Sequence, residues 1–230
     1  GLPETGAGAL AYVRALQAAG RMADAETEAM RAWADLSFSP EEEAALIALA
    51  PEAVGFVHEL RLDTLLWSGR TGEANRMLAR LPEDLRALAR ARIALQNDEK
   101  GVTALIGAVP KARAGDAGLA LDRFIWRMKR DLYDEALPLV LERSASADLL
   151  GRPEAWAERR TTLTRWLMRQ GRPAEAYRVA SNHHLKGGAA YADLEFLAGF
   201  IALRRLDDPK TALTHFQHLL AGVSTPISLA

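Results

Sequence analysis

Six short stretches of this chain share one punctuation pattern: a turn residue, then an alanine five positions later. They run from Gly20 to Ala25, Gly69 to Ala74, Glu99 to Ala104, Asp131 to Ala136, Gly171 to Ala176 and Asp207 to Ala212. Their alanines are separated by 49, 30, 32, 40 and 36 residues. Each feature has a physical reason. Glycine after a helix adopts the left-handed conformation that ends the helix without a Cβ clash. Pro173 and Pro209 suit the first turn of the next helix, where a missing N–H costs nothing. The alanine then falls one turn into that helix, where a small side chain lets two antiparallel helices approach closely. Apolar residues follow at helical spacing, as with Met30 and Trp33 after Ala25, or Phe216 and Leu219 after Ala212.

The unit is therefore helix, short turn, helix, recurring at the period of helical solenoids. It resembles tetratricopeptide repeats, with irregular spacing in place of a strict repeat. Period-two alternation and β-branched runs are sparse, so the predicted fold is all-α, a superhelical solenoid of short antiparallel helix pairs over residues 1–230. Helices are expected at 6–19, 22–36, 40–49, 52–68, 71–80, 83–97, 100–108, 116–130, 132–143, 153–170, 173–184, 188–206 and 208–221. Ser39-Pro40 followed by Glu41, Glu42 and Glu43 reads as a capped, solvated helix start. Thr225-Pro226 reads as the start of a further helix, truncated at 226–230, so the array is expected to continue. Residues 1–6 read as linker. "LPETG" at 2–6 has the form of a sortase motif, but such motifs stand near the C-terminal end of their substrates.

Charge and composition narrow the function classes. A formal net charge of -1 gives no global case for nucleic acid or an anionic membrane as partner. The densest basic clusters, "RMKR" at 127–130 and "ERR" at 158–160, read as solvated helix faces or ion-paired groups. The absence of cysteine excludes disulfides, thiolate catalysis and cysteine-ligated metal. The most apolar window, 191–203, is too short for a membrane span and contains Asp193 and Glu195. It reads as a helix buried between neighbours.

No constellation supports catalysis, and no catalytic, cofactor-binding or metal-ligating residue is assigned. "GxxxxGK", "GxSxG" and "HExxH" are all missing. The histidines are His58, His183, His184, His215 and His218. His215 and His218 stand at i, i+3 and offer two possible zinc ligands, with no obvious third ligand nearby in sequence. Structural histidines are the favoured reading, and "NHH" at 182–184 is placed to satisfy carbonyls at a helix end. Asp193 and Glu195 need partners if buried, and Arg159, Arg160, Arg204 and Arg205 are the expected ones.

The C-terminal half carries a more specific pattern. "ERR" at 158–160, "AYRVA" with its following histidine, "LEFLAGFIALR" at 194–204, "DP" at 208–209 and "PIS" at 226–228 resemble the helical N-terminal region of soluble lytic murein transglycosylases of proteobacteria. "RLDTLLWSGR" at 61–70, "ARIAL" at 91–95 and "GLALDRFIWRMK" at 118–129 fit the same region. The resemblance is strongest over 118–230. It implies a superhelical domain of paired helices, joined through a linker domain to a lysozyme-like domain downstream. The complete enzyme cleaves the MurNAc–GlcNAc β-1,4 bond of peptidoglycan, leaving a 1,6-anhydro-MurNAc end, with one glutamate of an "E-S" motif as acid and base. This chain has no Glu-Ser dipeptide, so no catalytic residue carries over. The resemblance further implies periplasmic location, no cofactor, and peptidoglycan strands and the downstream domains as partners. Trp126, Arg127, Trp156, Arg160 and Trp166 are available for sugar stacking and carboxylate binding, though inter-helix packing is the favoured reading for each. The competing readings are a tetratricopeptide-like scaffold for a protein partner and a separate enzyme with a histidine metal site.

Overall fold

A computed structural model describes residues 1–222; the helix start expected at Thr225-Pro226 lies outside the described residues. Of the described residues 75% are helical and none is in a strand, which settles the all-α class. It forms two compact units, Gly1–Ala114 and one that begins at Gly115. The first holds α1 (Gly6–Ala18), α2 (Met22–Asp35), α3 (Pro40–Leu49), α4 (Pro51–Phe56), α5 (His58–Trp67), α6 (Thr71–Met77) with a 3₁₀ turn at Leu78–Arg80, α7 (Glu83–Gln96) and α8 (Val102–Gly107). The second holds α9 (Ala117–Met128), α10 (Tyr133–Arg143), α11 (Ala147–Leu150), α12 (Pro153–Arg169), α13 (Pro173–Ser181), α14 (Ala189–Arg205) and α15 (Pro209–Gly222). Within each unit helices pack mainly on their sequence neighbours, α1 on α2 and α5 on α6, then α12 on α13 and α14 on α15. This is solenoid-like stacking.

The recurring turn is one backbone structure. At Gly20, Gly69, Asp98, Asp131 and Gly171 the backbone is left-handed, with φ of 75°, 69°, 60°, 57° and 70°. At each, the N–H of this residue bonds the carbonyl three residues back, and the next N–H bonds the carbonyl five back. At Gly171 these are Gly171 N–H to Met168 O (3.2 Å) and Arg172 N–H to Leu167 O (3.0 Å). That pair of bonds satisfies helix-end carbonyls that would otherwise be orphaned. At four of these turns a single residue (Arg21, Arg70, Leu132 or Arg172) then caps the following helix. The alanine one turn on donates its N–H to the carbonyl of that residue, as Ala176 does to Arg172 at 3.0 Å. Aspartate replaces glycine in two of the turns because its short side chain tolerates the left-handed region. Asp207, with φ of 54°, ends α14 by a variant of the same bonding, and Ala212 donates to Asp208 O at 3.1 Å.

Ala25, Ala74, Ala136, Ala176 and Ala212 are all buried, as close helix approach requires. The copy at Glu99–Ala104 is the exception. Its left-handed residue is Asp98, and a second left-handed residue, Gly101, delays the next helix to Val102. The extra residues rotate that helix, so Val102 is buried and Ala104 is exposed.

Three further segments depart from the sequence expectation. The segment 52–68 breaks at Val57, whose N–H turns back to Val54 O at 3.2 Å, giving α4 and α5. α11 is too short to show periodicity in sequence, but Ser146 caps it by accepting from Leu149 N–H. α13 stops at Ser181, and residues 182–184 leave the helix, with His184 left-handed at φ of 57°.

Several buried or half-buried polar side chains hold helix ends. Arg61 is fully buried, stacks over the Trp33 ring at 4.1 Å, and donates to Trp33 O (2.6 Å) and Leu36 O (3.0 Å) at the end of α2. It also bridges Glu43 (3.0 Å) and Glu73 (2.9 Å). Glu43 is thus buried and ion-paired to Arg61 and Arg76, which corrects the expectation that Glu41, Glu42 and Glu43 are all solvated. Glu42 completes a capping box with Ser39 as expected. Gln17 and Gln96 reach Leu49 O and Leu66 O, at the ends of α3 and α5.

Candidate functional site

α14 and α15 meet closely because Gly199 lies between them. A Cβ there would stand 2.7 Å from a Phe216 ring carbon. The close approach brings residues of both helices, and of the turn after α13, around one carboxylate. Glu195, one turn before Gly199 on α14, is 5% exposed. Its Oε1 lies 3.0 Å from His183 Nε2, and its Oε2 lies 2.7 Å from His215 Nδ1. His183 Nδ1 accepts from Leu185 N–H at 2.9 Å, so the ring proton is on Nε2 and is donated to Glu195. His215 Nε2 lies 3.0 Å from the Tyr177 hydroxyl of α13. With His215 Nδ1–H donating to Glu195, that hydroxyl donates to Nε2. His218, on the solvent side, places Nδ1 3.7 Å from Glu195 Oε2, with its side chain 56% exposed.

The electrostatics follow from this bonding. Burial alone would raise the Glu195 carboxyl. The hydrogen bonds from His183 and His215 outweigh it and hold the carboxyl below its ordinary value. Burial raises the Tyr177 phenol, which keeps it protonated as a donor. Glu195, His215 and His218 offer ligand atoms all within 4.8 Å of one another, a group able to hold a metal ion. The sequence shows the histidine pair but not the third ligand, which lies twenty residues upstream on another helix.

Several expectations need correction here. Glu195 pairs with histidines, not with an arginine. Asp193, Arg204 and Arg205 are exposed, and Arg159 lies 3.7 Å from Glu158. Arg160 is fully buried and faces no carboxylate in its hydrogen bonding. It donates to Val179 O (2.7 Å), in the last turn of α13, and to Ser144 Oγ (2.7 Å), at the end of α10. Burial lowers it to about 10. The negative ends of two helices replace the missing counter-ion. His184 donates to Ser144 O at 2.9 Å, so the "NHH" stretch does satisfy a helix-end carbonyl, on α10. His58 accepts from Trp33 Nε1–H at 3.1 Å, and burial lowers its pKa.

The sugar-binding candidates divide into two groups. Trp156 is fully buried, stacked on Phe124 at 5.1 Å, with Nε1–H donating to Leu150 O; it and Arg160 are core residues. Trp126, Arg127 and Trp166 are half-buried. Arg130 lies over Trp126 at 4.0 Å, and Tyr133 packs on Trp166 at 4.8 Å with Arg172 at 5.7 Å.

The fold defines an all-α protein of stacked helix pairs. No protein-family model, curated protein or solved structure matches the chain. No helix among the described residues is long and apolar enough to cross a membrane.

Proposed function

We propose that this chain is the non-catalytic helical region of a periplasmic lytic transglycosylase, and that it holds peptidoglycan near a catalytic domain carried elsewhere in the protein. The observation that carries this reading is the helix-pair stacking itself, built on turns of one geometry. It agrees with the paired-helix architecture that the sequence resemblance implies. The polar groups support a scaffold role, since buried Arg61 and Arg160 and half-buried Gln17 and Gln96 are consumed in fixing helix ends. The half-exposed surfaces around Trp126 and Trp166 combine aromatic faces with arginines, the chemistry that sugar rings and muramyl-peptide carboxylates recognise.

The test uses purified sacculi. The natural full-length protein releases 1,6-anhydro-muropeptides, and the present chain releases none but co-sediments with sacculi. Release by the isolated chain, or a full reading frame without a lysozyme-like domain, overturns the proposal. A second reading, a scaffold for a protein partner, is favoured by the outer surface of α14 and α15. Phe196, Phe200, Leu203, Leu213 and Leu220 are exposed there, with Phe196 and Phe200 stacked at 6.4 Å. Such patches mark interaction surfaces. It predicts co-purification of a defined protein and no affinity for sacculi.

A further inference from the structure

The cluster at Glu195 has more order than packing requires. Two elements supply three nitrogen and oxygen donors facing one point: Glu195 from α14, His215 and His218 from α15. The two buried donors are each held from behind. His183 grips Glu195 Oε1 and leaves Oε2 facing the histidines, and Tyr177 grips the far nitrogen of His215. Hydrogen-bonded support of this kind orients the ligands of metal sites and sets their basicity. The third donor, His218, is largely exposed, so the site opens to solvent.

We propose that Glu195 Oε2, His215 Nδ1 and His218 Nδ1 bind one zinc ion, with water completing a tetrahedral shell. Two imidazoles and a carboxylate with an open fourth position form a donor set suited to zinc. Donors at zinc's bond lengths of about 2.0–2.2 Å stand roughly 3.3–3.6 Å apart in a tetrahedron. The separations from Glu195 Oε2 are 2.7 Å to His215 and 3.7 Å to His218, each within an ångström of that value, and the two histidine donors lie within 4.8 Å of one another, a gap that rotation of the exposed His218 side chain closes. Protons balance without external help. The proton on His215 Nδ1 leaves, one is taken up at Nε2, and the Tyr177 hydroxyl turns to accept it. The neutral imidazole changes tautomer and the ion takes the place of the hydrogen bond. Bound zinc would tie α15 to α14 at a point where the two already pack closely. This proposal does not rest on the murein reading, and a different assay reads it.

The experiment uses the untagged chain, stripped with a chelator, and zinc alone as the probe. Calorimetric titration with elemental analysis is expected to show one zinc per chain and a raised melting temperature with metal. His218→Ala removes an exposed side chain, leaves the metal-free melting temperature unchanged, and weakens binding by about tenfold or more. Asp193→Asn, on the exposed face of the same helix as Glu195, binds as the wild type does. Binding weaker than about 100 µM in the wild-type chain overturns the site. So does His218→Ala binding equal to wild type, and so does a loss in Asp193→Asn matching that in His218→Ala.

Discussion

Replacing Ala74 and, separately, Ala104 with leucine tests the packing role assigned to the turn alanine. The two residues stand in copies of one sequence motif, in one compact unit, near the start of short helices. Leucine and alanine both favour helix, so propensity separates the variants little. Ala74 has no exposed surface, and Ala104 is exposed. Leucine adds three carbons. Given room, burying them would stabilise by ~2.4 kcal/mol at about 0.8 kcal/mol per methylene. At Ala74 there is no such room, because the side chain lies where α6 meets its neighbours. Overpacking of this kind instead costs about 1–3 kcal/mol. For a chain of this size that lowers the melting temperature by roughly 2–12 °C. At Ala104 the added carbons project into water, and the expected change is within about 0.5 kcal/mol. Urea denaturation followed by circular dichroism, with thermal melts, reads both. Equal destabilisation by the two substitutions refutes the reasoning, as does a neutral Ala74→Leu.

The remaining predictions address the polar interior and the helix contact beside the site. Arg61→Ala leaves Glu43 and Glu73 without their shared buried cation, and is expected to destabilise by about 3–5 kcal/mol in urea unfolding. Gly199→Ala pushes α15 from α14 at the Phe216 ring and is expected to cost about 1–3 kcal/mol by the same measurement, with wild-type stability counting against the close approach. The folded state holds the Glu195 carboxyl below its ordinary value, so its contribution is complete above the unfolded-state value and is lost as pH falls through the folded-state value. As pH falls below the ordinary glutamate value of about 4.3, wild-type stability should therefore fall more steeply than that of Glu195→Gln, and parallel pH profiles would refute that assignment.

Much of the helical order is local and so was readable. Glycine or aspartate at a helix end, proline at the next start and an alanine one turn later act within a few residues, and the backbone obeys them at five of six copies. The failed copy, Glu99–Ala104, shows the limit. Gly101 was as visible as Asp98, but choosing which of two left-handed residues starts the next helix needed the tertiary burial of Val102. α11 (Ala147–Leu150) leaves no periodic signal in the sequence because four residues carry no period.

The polar interior was not readable, because its partners lie far apart along the chain. Glu43 stands in an acidic run that on its own would be solvated, and only the arrival of Arg61 and Arg76 from later helices buries it. Arg160 looks in sequence like a partner for an acid, whereas in the fold a helix-end carbonyl, that of Val179, and the Ser144 hydroxyl take that place. At the site, sequence determined that His215 and His218 share one face of a helix, since that follows from a spacing of three residues. That Glu195 faces them, with His183 and Tyr177 behind, was decided only by the contact of α14 with α15 at Gly199 and by the early end of α13. Helical periodicity orders residues along one axis. Which axes come together depends on how closely two side-chain surfaces can approach.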